Sequence, residues 1–532
     1  MQHIRYTNFM NDLNEWWRGA CIYQIYPRSF KDTNNTGIGD LKGVTEKLDY
    51  IASLGVDGIW ITPFFTSPMK DFGYDVENFR DVDPMFGSIE DFHELLDNAH
   101  EKNLKVIIDL VFSHTSDQHP WFKEKPEYYV WADGCHVGNG VYGPPNNWVS
   151  LFGGSAWEWD EHRRKYYLHN FLKEQPDLNF HNPDVQKEVL DIVKFWLEFG
   201  VDGFRLDVVN FYFHDKLLRN NPPRDPELGA ATQFEGEDPY SMQEHIYDKS
   251  QPENLDFIKK LRALMDQYDD RFTVGEIGDD HPFDRAAEYT EGHDYLNTCY
   301  NMHLLGGQKK HLTSDMIREP VETFSELKKG SWPSWAFSNH DVVRAASRWH
   351  WEGDGFSHEP KLSKMLIALL GCLRGTLFMY QGEELGLPEA KLKYEELKDP
   401  WGIHLWPEWQ GRDGCRTPMP WLSAPNEESK GAWLPTPAQH YELSVETQDL
   451  DDNSILNFTR KFMSWRKTQK PLIKGNIKFI NTGNGNILRF TRSYDGEPEI
   501  EALFNLSGEY QKFEELEPEL EPYYFKITGF NL

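Results

Sequence analysis

"GVDGFRLDVVNFYFHD" (residues 200–215) starts with a glycine turn and continues as an apolar run typical of a buried strand. Arg205 and Asp207 stand inside that run, although burying a charge is costly unless the charge is paired or used in chemistry. "GVDG" also occurs at 55–58, before "IWIT", and a helical pattern precedes each copy. Helix, glycine turn and buried strand therefore occur twice, as in repeated βα units.

Other turns and caps extend this pattern along the chain. Gly55 and Gly200 fit the position that ends a helix, and Asn182 or Asp184 fits the cap that begins the second one. We predict short buried strands in "CIYQIY" (21–26), "GIWIT" (58–62), "KVIIDLV" (105–111), "GFRLDVV" (203–209), "FTVGEI" (272–277), "CYNMHLL" (299–305), "SWAFSNHD" (334–341) and "TLFMYQGEE" (376–384). Eight strands with intervening helices predict an α/β fold, a (β/α)8 TIM barrel, although an open doubly wound sheet has the same local signature.

Two segments interrupt the alternation of strands and helices. Residues 114–180 are rich in Trp, Gly and Pro, and they predict an irregular inserted subdomain after strand 3. From about residue 470 the pattern alternates and includes "TGNGN", a hairpin signal, so residues 470–532 predict a small antiparallel β domain. The barrel is then assigned to residues 1–113 and 181–469.

Composition limits the partners of the protein. The 532 residues carry 55 Lys and Arg against 86 Asp and Glu, a formal charge of −31, which argues against a nucleic-acid partner. No apolar run has the length of a membrane span, and the start of the chain lacks the apolar core of a signal peptide. We therefore expect a cytoplasmic monomer or homodimer, unless a longer precursor was trimmed, with a small neutral substrate and no organic cofactor. The five cysteines are scattered and indicate no disulfide framework.

Acidic residues recur where predicted barrel strands end. Asp109 ends strand 3, with His114 just after it; Asp207 ends strand 4, Glu276 strand 5, and Asp341 closes the "NHD" after strand 7. One such carboxylate is equally explained as a strand-end residue bonded to a neighbouring helix. Four would converge at the barrel mouth, where crowding raises the pKa of one acid while another stays ionised. Glycosidic bonds are cleaved by such a carboxylate pair.

Several motifs extend this interpretation to a known family. The order "DLVFSH" (109–114), "GFRLDVV", "GEI" (275–277) and "SNHD" (338–341) resembles the conserved regions of the α-amylase clan. Over residues 16–422, the chain also resembles the oligo-1,6-glucosidase and α-glucosidase branch of this clan. The stretches that carry this resemblance are "WWRGACIYQIYPRSF", "GYDVENFRDVDPMFG", "HTSDQHPWF", "QPDLNF", "YQGEELGL" and "GRDGCRTPMPW". The resemblance implies a retaining enzyme that acts on α-glucosides.

The resemblance also implies the central roles at the site. Asp207 corresponds to the nucleophile that forms a β-glucosyl-enzyme, and Arg205, on the same face of the strand, would orient it and lower its pKa. Glu276 corresponds to the general acid and base. The two carboxyl groups should lie about 5–5.5 Å apart, as in retaining enzymes.

Further residues would hold the sugar. By resemblance, Asp341 binds the hydroxyls at C2 and C3, and His114 and His340 donate hydrogen bonds to the transition state. Phe152 and Phe171, from the insertion, would line the pocket entrance, although a plain packing role is an equal alternative.

The end of the pocket decides where the enzyme attacks. Asp75 and Arg412 resemble the family pair that binds the 4-hydroxyl of a terminal glucose, and Tyr74 would stack on its ring. Such a pair closes the pocket behind one sugar, so attack would release one glucose from the non-reducing end. Val208, after the nucleophile, resembles α-1,6-acting members, whereas "NFYFHD" and "GRDGCRTPMPW" look closer to α-1,4-acting enzymes; both linkages stay open.

"DTNNTGIGD" (32–40) resembles the calcium or magnesium loop of this branch. The implied ligands are Asp32, Asn34, Thr36, the Ile38 carbonyl and Asp40, which are oxygen donors of the kind that hard cations prefer. Thr36 stands where the family usually has Asp, and the lost charge should weaken a structural Ca²⁺ or Mg²⁺ site.

Two alternatives remain beside hydrolysis. A transglucosylase or sucrose isomerase would use the same carboxylates and intermediate with a sugar as the acceptor. A non-catalytic subunit of an amino-acid transporter would resemble the barrel, but such proteins typically lose catalytic carboxylates that this sequence keeps at 207, 276 and 341.

Overall fold

A ring of parallel strands forms the centre of the protein. The computed structural model describes residues 15–138, 141–225, 238–306, 311–326, 331–351, 355–426, 429, 431–513 and 516–531, so the first 14 residues of the predicted barrel range lie outside the described residues. The barrel strands are β1 (Cys21–Ile25), β2 (Gly58–Ile61), β3 (Lys105–Leu110), β4 (Gly203–Leu206), β5 (Phe272–Glu276), β6 (Thr298–Tyr300), β7 (Ser334–Ala336) and β8 (Thr376–Tyr380).

The strand order confirms a barrel rather than an open sheet. Parallel pairing runs β6-β5-β4-β3-β2-β1-β8-β7, so consecutive strands pair with each other except at β6 and β7, and β1 pairs with β8. Side chains bridge the remaining gap: Ser334 on β7 donates to the Cys299 carbonyl on β6, and Thr298 donates to the Trp332 carbonyl, both at 2.6 Å. The chain order has no reversal of the kind that an open doubly wound sheet requires.

Helices connect and surround these strands. Their bounds are Leu41–Glu46, Leu48–Ser53, Ile89–Glu101, Pro120–Glu124, Pro183–Phe199, Glu253–Met265, Pro282–Thr290, Ser314–Glu326, Ala345–Arg348, Pro360–Cys372, Pro400–Leu405, Ala438–Glu442, Val445–Asp449, Ile455–Lys467 and Lys470–Lys474. The helix before β4 begins and ends at the residues that the capping pattern predicted. Asn182 caps its start by accepting from the Asp184 amide at 2.9 Å, and Gly200 ends it at φ 111°, a left-handed conformation that suits glycine.

The two predicted interruptions of the barrel contain small antiparallel sheets. Between residues 114 and 180, Lys165–Leu168 pairs with Trp131–Ala132 and Trp157–Asp160, and Cys135–Gly138 pairs with Val141–Gly143. At the end of the chain, the four-stranded sheet contains Asn476–Ile480, Ile487–Ser493, Ile500–Asn505 and Phe525–Ile527, and Gln511–Phe513 pairs with Leu516–Leu520. The exact domain boundaries stay predictions of the sequence.

One buried arginine ties the terminal sheet to the barrel. Arg492 is fully buried and donates to the carbonyls of Cys372, Leu472 and Gly475 at 2.6–3.0 Å, at the ends of two helices. All five cysteines are free, and four of them are buried. Among the described residues, none of the helices combines the length and the apolar character that crossing a bilayer requires.

Candidate active site

Four acidic and basic side chains meet at the mouth of the barrel, and we call them the Arg205 cluster: Arg205, Asp109, Asp207 and Glu276. Arg205 is 1% exposed, and its Nη1 donates to Asp109 Oδ1 at 2.8 Å and to Asp207 Oδ1 at 2.5 Å. Its Nη2 donates to Glu276 Oε2 at 2.5 Å. Since one planar guanidinium binds both Asp207 and Glu276, the bonded oxygens lie within about 7 Å of each other. The two carboxylates can therefore face a single substrate bond.

Arg205 acts on the pKa of Asp207 in the predicted direction, but burial outweighs it. Burial raises the pKa of Asp207 to about 7, and the nearby charge of Asp109 adds to this, although Arg205 opposes both. Burial likewise raises the pKa of Glu276 to about 7. Arg205 lowers the pKa of Asp207, as predicted, but does not bring it below its usual value, because one guanidinium is shared among three buried carboxylates. The excess negative charge favours a proton on the pair near neutral pH, as general acid catalysis requires.

Asp341 is the more exposed carboxylate beside this cluster. Its side chain is 22% exposed, against 9% for Asp207 and 12% for Glu276. Arg416 Nη2 donates to Asp341 Oδ1 at 2.7 Å and Arg412 Nη1 at 3.3 Å. Burial by itself would raise the pKa of Asp341, but neighbouring positive groups outweigh it and hold the pKa below its usual range. Asp341 is therefore an ionised acceptor open to a ligand.

Arg412 faces Asp71, and not Asp75 as the motif had suggested. Its Nη2 donates to Asp71 Oδ1 at 2.9 Å, and Asp399 holds the same guanidinium at 2.7 and 3.1 Å. Asp75 is fully buried and accepts instead from the amides of residues 70 and 71, at 2.8 and 2.9 Å, and from Ser67 Oγ at 3.0 Å. The chain turns between the two acids through residues 72 and 73, at φ 51° and 110°, so their side chains face different partners.

Tyr74 was predicted to stack on the sugar ring, and that contact stays a prediction. It is 7% exposed, and its ring lies parallel to that of His340 at a centroid distance of 5.4 Å. Its hydroxyl lies 2.6 Å from His340 Nε2 and 3.1 Å from Asp109 Oδ2. In this arrangement Tyr74 connects a predicted sugar-binding histidine to the Arg205 cluster.

His114 and the two phenylalanines line the side of the site formed by the insertion. His114 is buried, and its Nε2 lies 2.9 Å from the Tyr74 carbonyl; burial lowers the pKa of His114 to about 4, so the ring is neutral. Phe171 packs at 5.2 Å from the His114 ring. Phe152 lies under the Arg412 guanidinium at 5.3 Å and at 5.9 Å from Phe171. Both phenylalanines therefore border the predicted pocket.

Val208 occupies a strained position directly after Asp207. Its φ of 32° and ψ of 51° are left-handed, a conformation that β-branched residues rarely adopt. Its amide points at Glu276 Oε2 at 3.2 Å. The turn at Val208 thus places a main-chain donor against the second carboxylate of the pair.

The loop at 32–40 closes on its own hydrogen bonds. Asp32 accepts from the amides of residues 34 and 37 at 2.9 and 2.7 Å, and Thr36 Oγ1 donates to the Ile38 carbonyl at 3.2 Å. Asp40 accepts from Thr33 and Asn34 and caps the helix that begins at residue 41. Within the described part of the chain, no group of three or more His, Cys, Asp or Glu side chains is arranged to hold a metal ion. A divalent cation in this loop stays a prediction.

Several residues at the site were not among the predicted ones: Asp71, Asp399, Arg416, Gln24 and Gln175. Gln175 Nε2 lies 3.3 Å from Asp71 Oδ2 and 3.1 Å from His114 Nε2. Gln24, Gln175 and Arg416 stand in motifs quoted above, which was the available signal, and Asp71 stands two residues before "GYDV". For Asp399 we find no signal in the sequence.

The fold and the site define a barrel enzyme with a carboxylate pair held by one arginine. A model of the α-amylase catalytic domain matches residues 24–475. The chain is 52% identical over 506 residues to a probable α-glucosidase of Rhizobium meliloti (strain 1021), covering 93% of this chain and 90% of that protein. It is 34% identical over 520 residues to the oligo-1,6-glucosidase of Parageobacillus thermoglucosidasius, covering 91% and 89%.

A solved structure adds the same result for the fold. The crystal structure of an α-glucosyl transfer enzyme superposes with a TM-score of 0.90 at 45% identity, covering 97% of this chain and 99% of that one. The chain belongs to the α-amylase family of glycoside hydrolases.

Proposed function

We propose that this chain is a retaining, exo-acting α-glucosidase that releases glucose from the non-reducing end of short α-gluco-oligosaccharides. The observation that carries the proposal is the single guanidinium of Arg205 that joins Asp207 to Glu276. Asp207 attacks the anomeric carbon and forms a covalent β-glucosyl-enzyme, and Glu276 protonates the leaving oxygen and then activates water.

The remaining site residues hold one terminal glucose. Asp341 accepts from the hydroxyls at C2 and C3, and His114 and His340 stabilise the charge that develops at the transition state. The pair of Arg412 with Asp71, supported by their 2.9 Å contact, closes the pocket at the 4-hydroxyl end. Phe152 and Phe171 line the entrance, and Val208 shapes the aglycone side, where it influences the choice between α-1,6 and α-1,4 bonds.

The test is glucose release from maltose, isomaltose, sucrose and an aryl α-glucoside, with the product anomer followed by NMR. We expect α-glucose as the first product, because two displacements at one carbon retain its configuration. β-Glucose as the first product would refute retention. A fall in starch viscosity that precedes glucose release would refute exo attack.

Transfer to a sugar acceptor is the second candidate activity, supported by the relative named an α-glucosyl transfer enzyme. It uses the same carboxylates and the same intermediate, with a sugar in place of water. Product analysis at high maltose or sucrose concentration separates the two: oligosaccharides longer than the substrate, or isomerised sucrose, as main products would favour transfer. Location in the cytoplasm and a monomeric or homodimeric state stay predictions of the sequence.

A further inference from the structure

A run of hydrogen bonds connects β1 to the Arg205 cluster beneath the site. Gln24 Nε2 lies 2.7 Å from His340 Nδ1, and His340 Nε2 lies 2.6 Å from the Tyr74 hydroxyl. That hydroxyl donates to Asp109 Oδ2 at 3.1 Å. Gln24 and His340 are both fully buried, so solvent does not provide a substitute for a lost link.

The chemistry of each group sets the direction of this run. An amide N–H of Gln24 can only donate, so His340 Nδ1 accepts and carries no proton. The single proton of the neutral ring is then on Nε2, which faces the Tyr74 hydroxyl and, at 3.1 Å, Asp341 Oδ2. Since the Tyr74 proton is directed to Asp109, every link has one donor and one acceptor.

We propose that Gln24 is a positioning residue that fixes His340 in the tautomer protonated on Nε2, which keeps a neutral N–H donor directed at the Tyr74 hydroxyl and the carboxylate of Asp341. Gln24 does not touch substrate and acts only through His340. This inference rests on the proposed function, because Asp341, which the ring faces, is the residue proposed to bind the sugar.

The surroundings of His340 keep the ring neutral. Burial lowers the pKa of His340 to about 3, with Asp341 opposing and nearby arginines assisting. The titratable and charged groups that face it are Tyr26, Tyr74, Asp341, Arg205, Arg412 and Arg416, and Asp109 through Tyr74. A neutral imidazole ring has one proton, so the nitrogen that holds this proton donates and the other nitrogen accepts.

Two substitutions separate this role from a structural one. Gln24→Met keeps the approximate shape and removes the N–H, and we expect kcat on an aryl α-glucoside to fall about 10²-fold, as on removal of a transition-state donor, with KM changed much less. Gln24→Glu places an acceptor against Nδ1 and draws the proton away from Nε2. One added proton, either on the new carboxylate at position 24 or on the ring of His340, restores the N–H donor at Nε2. The activity optimum of Gln24→Glu therefore moves to lower pH, whereas that of Gln24→Met does not.

Gln381→Met is the matched control. Gln381 is also buried, and among the described residues its side chain bonds only to main-chain atoms of residues 26 and 29, so this variant should keep the wild-type pH profile. A wild-type pH profile in Gln24→Glu, or a wild-type kcat in Gln24→Met, would overturn the inference.

The tautomer can also be read without turnover. In protein labelled with ¹⁵N-histidine, with the His340 signal identified through His340→Gln, we expect protonated Nε2 in the wild type and protonated Nδ1 in Gln24→Glu. An Nδ1-protonated ring in the wild type would overturn the inference even if the enzyme releases glucose. If the wild type releases no glucose but shows the Nε2 signal, the proposed function fails and the tautomer assignment stands.

Discussion

Arg412 binds Asp71 through a 2.9 Å contact between Nη2 and Oδ1, and Asp75, four residues further on, is turned to the main chain of residues 70 and 71. In the proposed function, the wall behind the terminal glucose is therefore built from the first acid of the loop after β2. Asp399 supports it by holding the same guanidinium. This arrangement gives the two acids different partners: Asp71 bonds to Arg412, and Asp75 holds the main chain of the loop.

Asp71→Asn should reduce kcat/KM for an α-glucoside by about 10- to 100-fold, since a charge-assisted hydrogen bond is lost. The penalty should shrink for the matching 4-deoxy substrate, which lacks the hydroxyl that the pair binds. Asp75→Asn is the control, and it should change thermal stability without changing discrimination against the 4-deoxy substrate. Equal discrimination by Asp71→Asn and the wild type would contradict the assignment.

Asp207→Asn should lower turnover by at least about 10³-fold and yet stabilise the fold at alkaline pH. The folded pKa of Asp207 is raised from 3.8 to about 7, so its contribution to stability is complete below about pH 4 and is lost as the pH rises through 7. The melting temperature of the variant should exceed that of the wild type at pH 8, and the difference should shrink towards pH 5. Glu276→Gln should behave in the same direction, because burial also raises its pKa to about 7. Near-normal activity in either variant would refute the assignment.

Asp109→Asn should move the alkaline limb of the kcat/KM profile to lower pH. After burial, the charge of Asp109 raises the pKa of Asp207, and its removal lets Arg205 bind the remaining pair more strongly. The last proton of the pair is then lost at lower pH. Asp133→Asn removes the same charge from an exposed site and should leave the profile unchanged. An unchanged or more alkaline limb in Asp109→Asn would contradict the shared-charge explanation.

Val208→Ala should shift the ratio of kcat/KM for isomaltose over maltose towards maltose by about tenfold, within the range that a few methyl groups supply. Val209→Ala is the control, because Val209 is fully buried in the core and should leave the ratio unchanged. A ratio that stays constant in Val208→Ala would remove this residue from linkage choice.

The sequence predicts a structural Ca²⁺ or Mg²⁺ in the 32–40 loop, so chelation should lower the wild-type melting temperature. Thr36→Asp restores the carboxylate typical of the family, and its melting temperature should rise with calcium. The stabilisation is about 2.7 kcal/mol when the free calcium concentration is 100 times Kd. Differential scanning calorimetry with EDTA or calcium checks both. A wild-type melting temperature that stays unchanged in EDTA would contradict the predicted ion and agree with a loop closed by the hydrogen bonds of Asp32 and Asp40 alone.

Local signals in the sequence were sufficient for the architecture. Apolar runs of strand length, the cap at Asn182 and the glycine at 200 each depend on neighbouring residues, and the structure has the same elements at nearly the same positions. Strand ends determine which residues reach the mouth of a parallel barrel, so the sequence alone predicts that Asp109, Asp207 and Glu276 lie together.

What the sequence by itself determined was the barrel, the terminal sheet and the identity of the carboxylates, because periodicity and strand direction are local properties. Tertiary structure alone decided that Arg412 pairs with Asp71, that Gln24 reaches His340 across 316 positions of chain, and that the pKa of Asp207 is raised and not lowered. Side-chain partners depend on how loops turn in three dimensions. A pKa depends on the sum of burial and of charges contributed by distant strands, and no short stretch of sequence contains that sum.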